Sequence, residues 1–236
     1  MIQAHPTLGK QKSVDICDAF LRGAPKDVHG HVFYGVNETN LEAWRWVRAC
    51  GEPFWYIDNS YFDHTRKTHF RVTKNALQCQ WTLPNDGARW RAIEVPLKPW
   101  NCVWTGLIVV CPQSDNFMHN VARYHGNWLA DTLKLIEERV DGKVPVIKVR
   151  PWSRDKKALS ATLVGDLVGA DWLFTHSSAA SVAATIHGVP IHVDPKAALF
   201  GLRPNDKERE HAMGTLADNQ WTLEEIRAGM AWEKLR

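Results

Sequence analysis

The stretch from Asp171 to Asp194 constrains the fold more than any other part of the chain. It opens with a short apolar run, continues through three small polar residues (His176–Ser178) and then contains a run of good helix formers. Gly188 stands where a helix C-cap is expected, and Pro190 prevents the helix from continuing. This order predicts a strand, a tight turn, a helix and a second strand.

The start of the predicted helix is a candidate anion site. A helix that begins at Ser177 or Ser178 directs unpaired backbone N–H groups, supported by two hydroxyls, towards the end of the preceding strand. Such a helix start suits a phosphate. His176 lies beside the serines, at the carboxyl end of a strand, where open α/β sheets place their ligands. A plain N-cap is the alternative explanation for the two serines.

The same alternation of strand and helix recurs along the chain. Strands are predicted at Met1–Ala4, His31–Val36, Phe54–Ile57, Thr105–Cys111, Val144–Val149, Trp172–Thr175 and Ile191–Val193. Helices are predicted at Val14–Leu21, Asn40–Ala49, Phe117–Val140, Ala158–Leu167, Ser178–His187, Asp206–Leu216 and Trp221–Trp232, the last with a capping box from Thr222 and Glu225. Residues 63–104 lack a helical period, and only loops and short strands are expected there. Strands that alternate with helices of roughly ten residues indicate parallel sheets.

The predicted fold class is therefore α/β, with two Rossmann-like parallel-sheet halves, a cleft between them and helices at the C-terminal end. The first half covers residues 1–104 and the second covers 105–236.

Composition narrows the class of protein. The net charge of +3 is mild, and the five cysteines show no CxxC spacing, which favours free thiols in a reducing cytosol. No apolar run approaches roughly 18 residues and no leader precedes the first strand, so we predict a cytoplasmic protein without a membrane anchor. The absence of an HExxH motif and of a cysteine–histidine ligand cluster predicts that no metal is built in.

Polar residues follow the predicted strands at their carboxyl ends. Because these ends meet at one edge of a parallel sheet, we expect the side chains to line a binding cleft. In the first half they are Tyr34, Asp58, Asn59 and Tyr61; in the second they are Gln113, Ser114, Asp115, Arg150, His176, Ser177, Ser178 and Asp194. Asp58 is the first candidate for a general base, with Asp115 as its competitor. An aspartate in a turn is an equally ordinary explanation.

Basic residues are interspersed with aromatic ones in the middle of the chain. Arg66, Lys67 and Arg71 belong to such a cluster, which suits contact with the phosphates of a polyanion. A solvated basic face explains them equally well. Arg150 lies beside the predicted cleft and is a candidate contact for the pyrophosphate of a nucleotide.

The segment from Thr175 to Ile191 resembles the donor site of GT-B glycosyltransferases. The resemblance is strongest to the group of capsular-polysaccharide and Kdo transferases, in which a strand ends in a hydroxyl cluster and Gly-x-Pro opens the next strand. Leu107–Asp115 is similar to the opening strand of that donor domain. The likeness covers about 105–195 and is poor over 1–100.

The resemblance implies a nucleotide-sugar donor held by residues 105–236. Gln113, Ser114, Arg150, His176, Ser177, Ser178 and Asp194 would bind the donor, with Asp58 and Asp115 as catalytic candidates. It implies no cofactor beyond this co-substrate, and a helix N-terminus can stabilise a departing diphosphate without a metal. Tyr34, Asn59, Tyr61, Arg66, Lys67 and Arg71 would bind the acceptor.

The chain is much shorter than a typical two-domain member of that family. It resembles the compact phage enzymes that decorate hydroxymethylated bases, which would make double-stranded DNA the acceptor and the host cytoplasm the location. A polysaccharide or lipid-saccharide acceptor is the alternative within the same class. Outside that class, we weigh a non-catalytic nucleic-acid or carbohydrate-binding protein, and a sugar-nucleotide epimerase, for which the additional carboxylates are not apparent.

Overall fold

The computed structural model describes residues 1–62, 68–150 and 162–235. The chain forms two compact units, which we call unit 1 (Met1–Cys79 with Leu216–Arg236) and unit 2 (Gln80–Thr215). The sequence-based division ran from 1 to 104 and from 105 to 236; as an assignment of acceptor and donor roles it stays a prediction. Within the described residues, every helix is too short or too polar to cross a membrane.

The strands and helices follow the predicted alternation. The strands are β1 (Ile2–His5), β2 (Gly30–Tyr34), β3 (Phe54–Asn59), β4 (His69–Lys74), β5 (Leu107–Cys111), β6 (Val146–Val149), β7 (Trp172–Thr175), β8 (Ile191–His192) and β9 (Gln220–Thr222). The α-helices are α1 (Gln11–Gly23), α2 (Leu41–Cys50), α3 (Ala88–Ile93), α4 (Trp128–Arg139), α5 (Ala180–Ile186), α6 (Asp206–Asp218), α7 (Leu223–Arg227) and α8 (Met230–Lys234). A π-helical segment covers Phe117–Ala122, and residues 162–166 are helical.

Unit 1 contains a mixed sheet in the order β1-β2-β3-β4-β9. Strands β1, β2 and β3 are parallel, whereas β4 runs antiparallel to β3 and β9 runs antiparallel to β4. The predicted α/β class with parallel strands is confirmed, but the sheet of the first half is not parallel throughout. The arrangement of two halves around a cleft stays a prediction.

Helices cover both faces of the unit 1 sheet. On one face, Phe20 of α1 packs in a core cluster with Trp55 of β3 and with Trp232 of α8. The rings of Phe20 and Trp232 lie 4.8 Å apart. On the other face, Trp44 of α2 packs edge-on against Phe33 of β2. The two ends of the chain therefore share one core.

Unit 2 contains a parallel sheet in the order β6-β5-β7-β8, again with helices on both faces. Ile136 of α4 is fully buried against Val110 and Phe174. On the opposite face, Ala184 of α5 packs with Leu173. Because both faces of β5 and β7 are buried, these strands are continuous apolar runs.

Three predicted helices differ in detail. The helix predicted over 117–140 is interrupted between the π-helical segment and α4, where Arg123 and Gly126 have positive φ and the side chain of Asn127 caps α4. Residues 221–232, where the last helix is predicted, lie in strand β9 and in the short helices α7 and α8. The predicted capping box of Thr222 and Glu225 is present at the start of α7. The helix predicted from Ser178 begins at Ala180. The predicted helix 158–167 lies partly outside the described residues.

A histidine pair in unit 1 predicts a dependence of stability on pH. Nε2 of His5 lies 2.9 Å from Nδ1 of His31, and burial lowers the pKa of both, with the charge of His31 adding to the shift at His5. The unfolded chain binds more protons than the folded one as pH falls below about 6.5. We therefore expect the free energy of unfolding to decrease from pH 7.5 to 5.5, and to decrease less in His31→Gln.

Denaturant unfolding at both pH values measures this difference. Comparing the variant with the wild type removes the contribution of the other histidines. An identical pH dependence in the two proteins would contradict the role of the pair.

Candidate functional site

The carboxyl edge of the unit 2 sheet brings five of the predicted donor-binding residues together. Gln113 follows β5, His176–Ser178 follow β7, and Asp194 lies two residues beyond β8. Oε1 of Gln113 accepts hydrogen bonds from the backbone N–H of Ser177 at 3.1 Å and from its hydroxyl at 3.0 Å. The backbone N–H of Asp194 donates to the carbonyl of His176 at 2.9 Å. The strand ends are thus linked by direct hydrogen bonds.

His176 is the buried centre of this group. Its Nε2 lies 3.5 Å from Oδ2 of Asp194, and its Nδ1 lies 3.1 Å from the hydroxyl of Ser177. Phe117 and Tyr124 each contact the imidazole edge-on, with ring centroids 6.2 Å away. Burial lowers the pKa of His176, and Asp194 opposes that shift. The imidazole is therefore held in place by partners on both sides.

The turn between β7 and α5 leaves backbone donors available. The hydroxyl of Ser178 accepts the N–H of Ala180 at 3.2 Å, a hydrogen bond within the turn just before α5, whose N-cap residue is Ala179. Among the described residues, no acceptor is bonded to the N–H groups of Ser178 and Ala179, and both residues are partly exposed. A ligand that accepts hydrogen bonds can therefore reach this turn from solvent.

Lys196 adds a positive charge that the sequence reasoning missed. Its backbone N–H donates to Oδ1 of Asp194 at 2.9 Å, and its ammonium acts electrostatically on His176. The side chain is exposed. The sequence feature that could have identified Lys196 is its position two residues after Asp194. Phe117 and Tyr124 were missed because no sequence pattern shows that the π-helical segment leads back to His176.

The other predicted residues of unit 2 lie near the same edge. Arg150 follows β6 and is buried; its Nε lies 2.9 Å from Oδ2 of Asp166. Its charge also acts on the thiol of Cys111, although burial raises the pKa of that thiol to about 11. Ser114 accepts the N–H of Phe117 at the start of the helical segment. Asp115 is exposed in the same turn.

Unit 1 brings Asp58 and Arg71 into direct contact. NH2 of Arg71 lies 2.7 Å from Oδ2 of Asp58. Tyr61 is buried, and the guanidinium of Arg71 lies 5.1 Å from its ring centroid. Asn59 accepts a hydrogen bond from the hydroxyl of Tyr34 at 3.3 Å. These five residues all lie at the carboxyl ends of β2 and β3 or opposite them on β4.

They divide between the two faces of the sheet. Asp58 pairs with Arg71 across the sheet and Asn59 pairs with Phe70, and successive residues of a strand point to opposite faces. Asn59 therefore shares a face with Phe70 and with Tyr34, whose ring contacts Phe70 edge-on. The predicted acceptor residues do not form one group.

A groove lies on the Phe70 side of unit 1, with a volume of about 490 Å³. Its floor is apolar, and its rim carries two carboxylates and one ammonium. The lining residues are Lys12, Asp15, Ile16, Thr68, Phe70, Thr222, Leu223 and Glu224. The ammonium of Lys12 lies 4.7 Å from the ring centroid of Phe70. Pockets of this size with an apolar floor and a polar rim suit small polar ligands.

Two predicted acceptor residues, Arg66 and Lys67, lie outside the described residues. Within the described part of the chain, no group of three His, Cys, Asp or Glu side chains is placed to hold a metal ion. Metal independence stays a prediction.

The fold has a counterpart in a solved transferase structure. The chain is similar to Thermosulfurimonas dismutans KpsC, a beta Kdo 2,4 transferase, with a TM-score of 0.52 and 13% sequence identity. The likeness covers 90% of this chain and 89% of that chain. No protein-family model and no curated protein matches the sequence. At this level of identity the likeness shows the fold alone.

Proposed function

We propose that the protein is a glycosyltransferase that moves a sugar from a nucleotide-sugar donor to a hydroxyl group. The observation that carries this proposal is the linked group of Gln113, His176–Ser178 and Asp194 at the carboxyl edge of the unit 2 sheet. In parallel sheets this edge is the usual place for a nucleotide. The likeness in fold to a beta Kdo 2,4 transferase supports the same class.

The donor phosphate would lie at the turn before α5. The N–H groups of Ser178 and Ala179 have no acceptor among the described residues, and the ammonium of Lys196 would supply a positive charge nearby. Such groups stabilise the negative charge of a leaving phosphate without a metal. Behind the turn, His176 is fixed by Asp194. Arg150 is buried and bound to Asp166, so we do not place it in contact with the phosphate.

The chemical step that we propose needs one base. Asp58 takes the proton from the acceptor hydroxyl, whose oxygen forms the new bond to the anomeric carbon of the sugar. The bond between that carbon and the phosphate oxygen breaks, and the nucleotide leaves with the electron pair. Asp115 is the second candidate for the base. The nucleotide sugar is a co-substrate, and we propose neither a cofactor nor a metal.

A saccharide is the acceptor that the described residues favour. Arg71, the cation beside the proposed base Asp58, is buried and bound to that carboxylate, so it offers no free positive charge to a polyanion. The exposed part of the Asp58 carboxylate can accept a hydrogen bond from a sugar hydroxyl. Double-stranded DNA with hydroxymethylated bases is the alternative acceptor, and Arg66 and Lys67 would contact its phosphates.

A thermal-shift panel of nucleoside phosphates and sugar nucleotides tests the donor site, because a ligand that binds the folded state raises its stability. At least one sugar nucleotide should raise the melting temperature of the wild type. Ser178→Ala should weaken its binding about tenfold or more, because the hydroxyl of Ser178, while it accepts the N–H of Ala180, would donate to the phosphate, and a hydrogen bond to a charged group contributes about 1.5–3 kcal/mol. The shift upon adding ligand is compared within each variant, which cancels the effect of losing the hydrogen bond between Ser178 and Ala180.

Thr105→Val is the matched control. Like the hydroxyl of Ser178, the hydroxyl of Thr105 forms a hydrogen bond with the backbone, here by donating to the carbonyl of Gly169. Thr105 lies at the amino end of β5, whereas the proposed site lies at the carboxyl edge of the sheet. Its removal should leave ligand affinity unchanged. If no nucleotide or sugar nucleotide shifts the melting temperature, the proposal is wrong. Retained binding of DNA or of a saccharide would then favour the non-catalytic binding protein.

A further inference from the structure

Arg71 is a buried cation with an unusual position on its strand. Its side chain is 8% exposed, and it lies on β4, between β3 and β9, on the face of the sheet opposite to Phe70 and Val72. Its Nε has no hydrogen-bond partner in the described part of the chain. Burial of a guanidinium is costly unless the charge is paired. The position therefore depends on the partner that Arg71 finds.

That partner is Asp58. The 2.7 Å contact between NH2 of Arg71 and Oδ2 of Asp58 joins β3 and β4 at a cross-strand pair. Burial by itself would lower the pKa of Arg71, but the charge of Asp58 reverses this effect and the pKa is raised overall. The guanidinium thus stays charged and stays bound to this carboxylate.

Tyr61 contacts the guanidinium of Arg71, and hydrogen bonds hold Tyr61 in place. The ring of Tyr61 lies 5.1 Å from Cζ of Arg71, and the hydroxyl of Tyr61 accepts the N–H of Cys79 at 3.1 Å. Gln220, which pairs with Arg71 across β4 and β9, accepts the N–H of Tyr61 at 3.1 Å through its side-chain oxygen. Both ends of Tyr61 are therefore anchored, and Arg71 has little freedom to turn away from Asp58.

Asp58, in contrast, reaches solvent. Its side chain is 30% exposed, Oδ1 accepts the N–H of Asn59 at 2.7 Å, and the buried Tyr56 interacts electrostatically with the carboxylate. The carboxylate is held by groups from β3 and β4 while one side of it remains open. This combination of fixed orientation and access is what a proton acceptor in catalysis needs.

We propose that Arg71 is a positioning residue, which orients the carboxylate of Asp58 towards the acceptor hydroxyl and does not itself contact the acceptor. The inference rests on the proposed function. It differs from the role that the sequence suggested for Arg71, a contact to the acceptor phosphates, because a guanidinium that is buried and bound to Asp58 offers no surface to a phosphate.

A double-mutant cycle tests this role in the full-length protein. We expect Arg71→Met to lower kcat for sugar transfer about tenfold or more in the wild-type background, and less than about twofold in the Asp58→Asn background. KM for the sugar nucleotide and for the acceptor should stay within about twofold. Arg71→Lys, which keeps the charge but loses the planar fork, should recover part of kcat.

Two controls distinguish a loss of folding from a loss of activity. Circular dichroism and melting temperature are recorded for each variant, and Arg71→Lys replaces Arg71→Met in the cycle if the latter does not fold. Lys74→Met is the matched control, since it removes a positive charge from the exposed end of the same strand. It should leave kcat unchanged.

The outcomes separate the inference from the function on which it rests. Additive effects of Arg71→Met and Asp58→Asn would overturn the positioning role, and a raised KM for the acceptor with unchanged kcat would return Arg71 to an acceptor contact. If the wild type transfers sugar and only the coupling is missing, the inference alone is wrong. If the wild type neither binds nor consumes any sugar nucleotide, both are wrong.

Discussion

Replacing Asp58 by asparagine will lower kcat for sugar transfer at least about 100-fold, because a positioned general base contributes roughly 10²–10⁴ to the rate. The amide has nearly the same shape as the carboxylate and can still accept the hydrogen bond from Asn59. We therefore expect KM for the sugar nucleotide to stay close to that of the wild type. Steady-state release of free nucleotide in the presence of acceptor measures both quantities.

Two further variants make this result specific. Asp27→Asn removes a carboxylate from the exposed turn before β2 and should leave kcat unchanged. Asp115→Asn tests Asp115, the second candidate for the general base, which lies in unit 2. Full activity of Asp58→Asn together with loss of activity in Asp115→Asn would transfer the base to Asp115 and remove the basis for a positioning role of Arg71.

Replacing Phe20 by alanine will lower the free energy of unfolding of unit 1 by about 3–5 kcal/mol, the usual cost of removing a buried aromatic ring. Phe20 is fully buried and contacts the rings of Trp55 and Trp232, so the cavity would open between α1, β3 and α8. Urea unfolding, monitored by hydrogen exchange at the backbone amides of β2 and β3, measures the free energy of unfolding of unit 1.

Phe200→Ala is the control for loss of a ring. This side chain is 45% exposed in unit 2, and its removal should cost less than about 1 kcal/mol. A loss below about 1 kcal/mol in Phe20→Ala as well would contradict the shared core of the two chain ends.

The elements with strong local patterns were predictable from the sequence. The apolar run of β5 leaves little choice but a strand buried on both faces, and the capping box of Thr222 and Glu225 marks a helix start without tertiary context. The interruption before α4 was harder, because the apolar spacing continues through it. The positive φ of Arg123 and Gly126 and the cap that Asn127 forms on α4 separate the two helical segments.

The antiparallel strands of unit 1 could not be predicted for a physical reason. In β4, Phe70 and Val72 lie on one face and Arg71 on the other, an alternation typical of a strand with one solvated face, but the side chain of Arg71 is buried. Its burial depends on Asp58, a partner from another strand that the local sequence does not reveal. Strand β9 has only three residues and belongs to a stretch with helical spacing.

The candidate site was predictable only in outline. The ends of the apolar strands indicate where polar side chains meet, and the link between Gln113 and Ser177 has that origin. Which side chains are already engaged by a partner depends on tertiary contacts, as for Arg71 with Asp58 and Arg150 with Asp166. The sequence did not identify Lys196 as part of the site, because its position near His176 depends on tertiary contacts.

The order of strands in unit 1 has a consequence for synthesis on the ribosome. Strand β4 receives its outer neighbour, β9, only after residues 75–219 have been translated. Until then the N–H and C=O groups along one side of β4 have no strand to pair with, and unpaired edges promote association between nascent molecules. Premature termination before residue 220 would leave that edge open permanently, so shortened products should aggregate even though most of the sheet is complete.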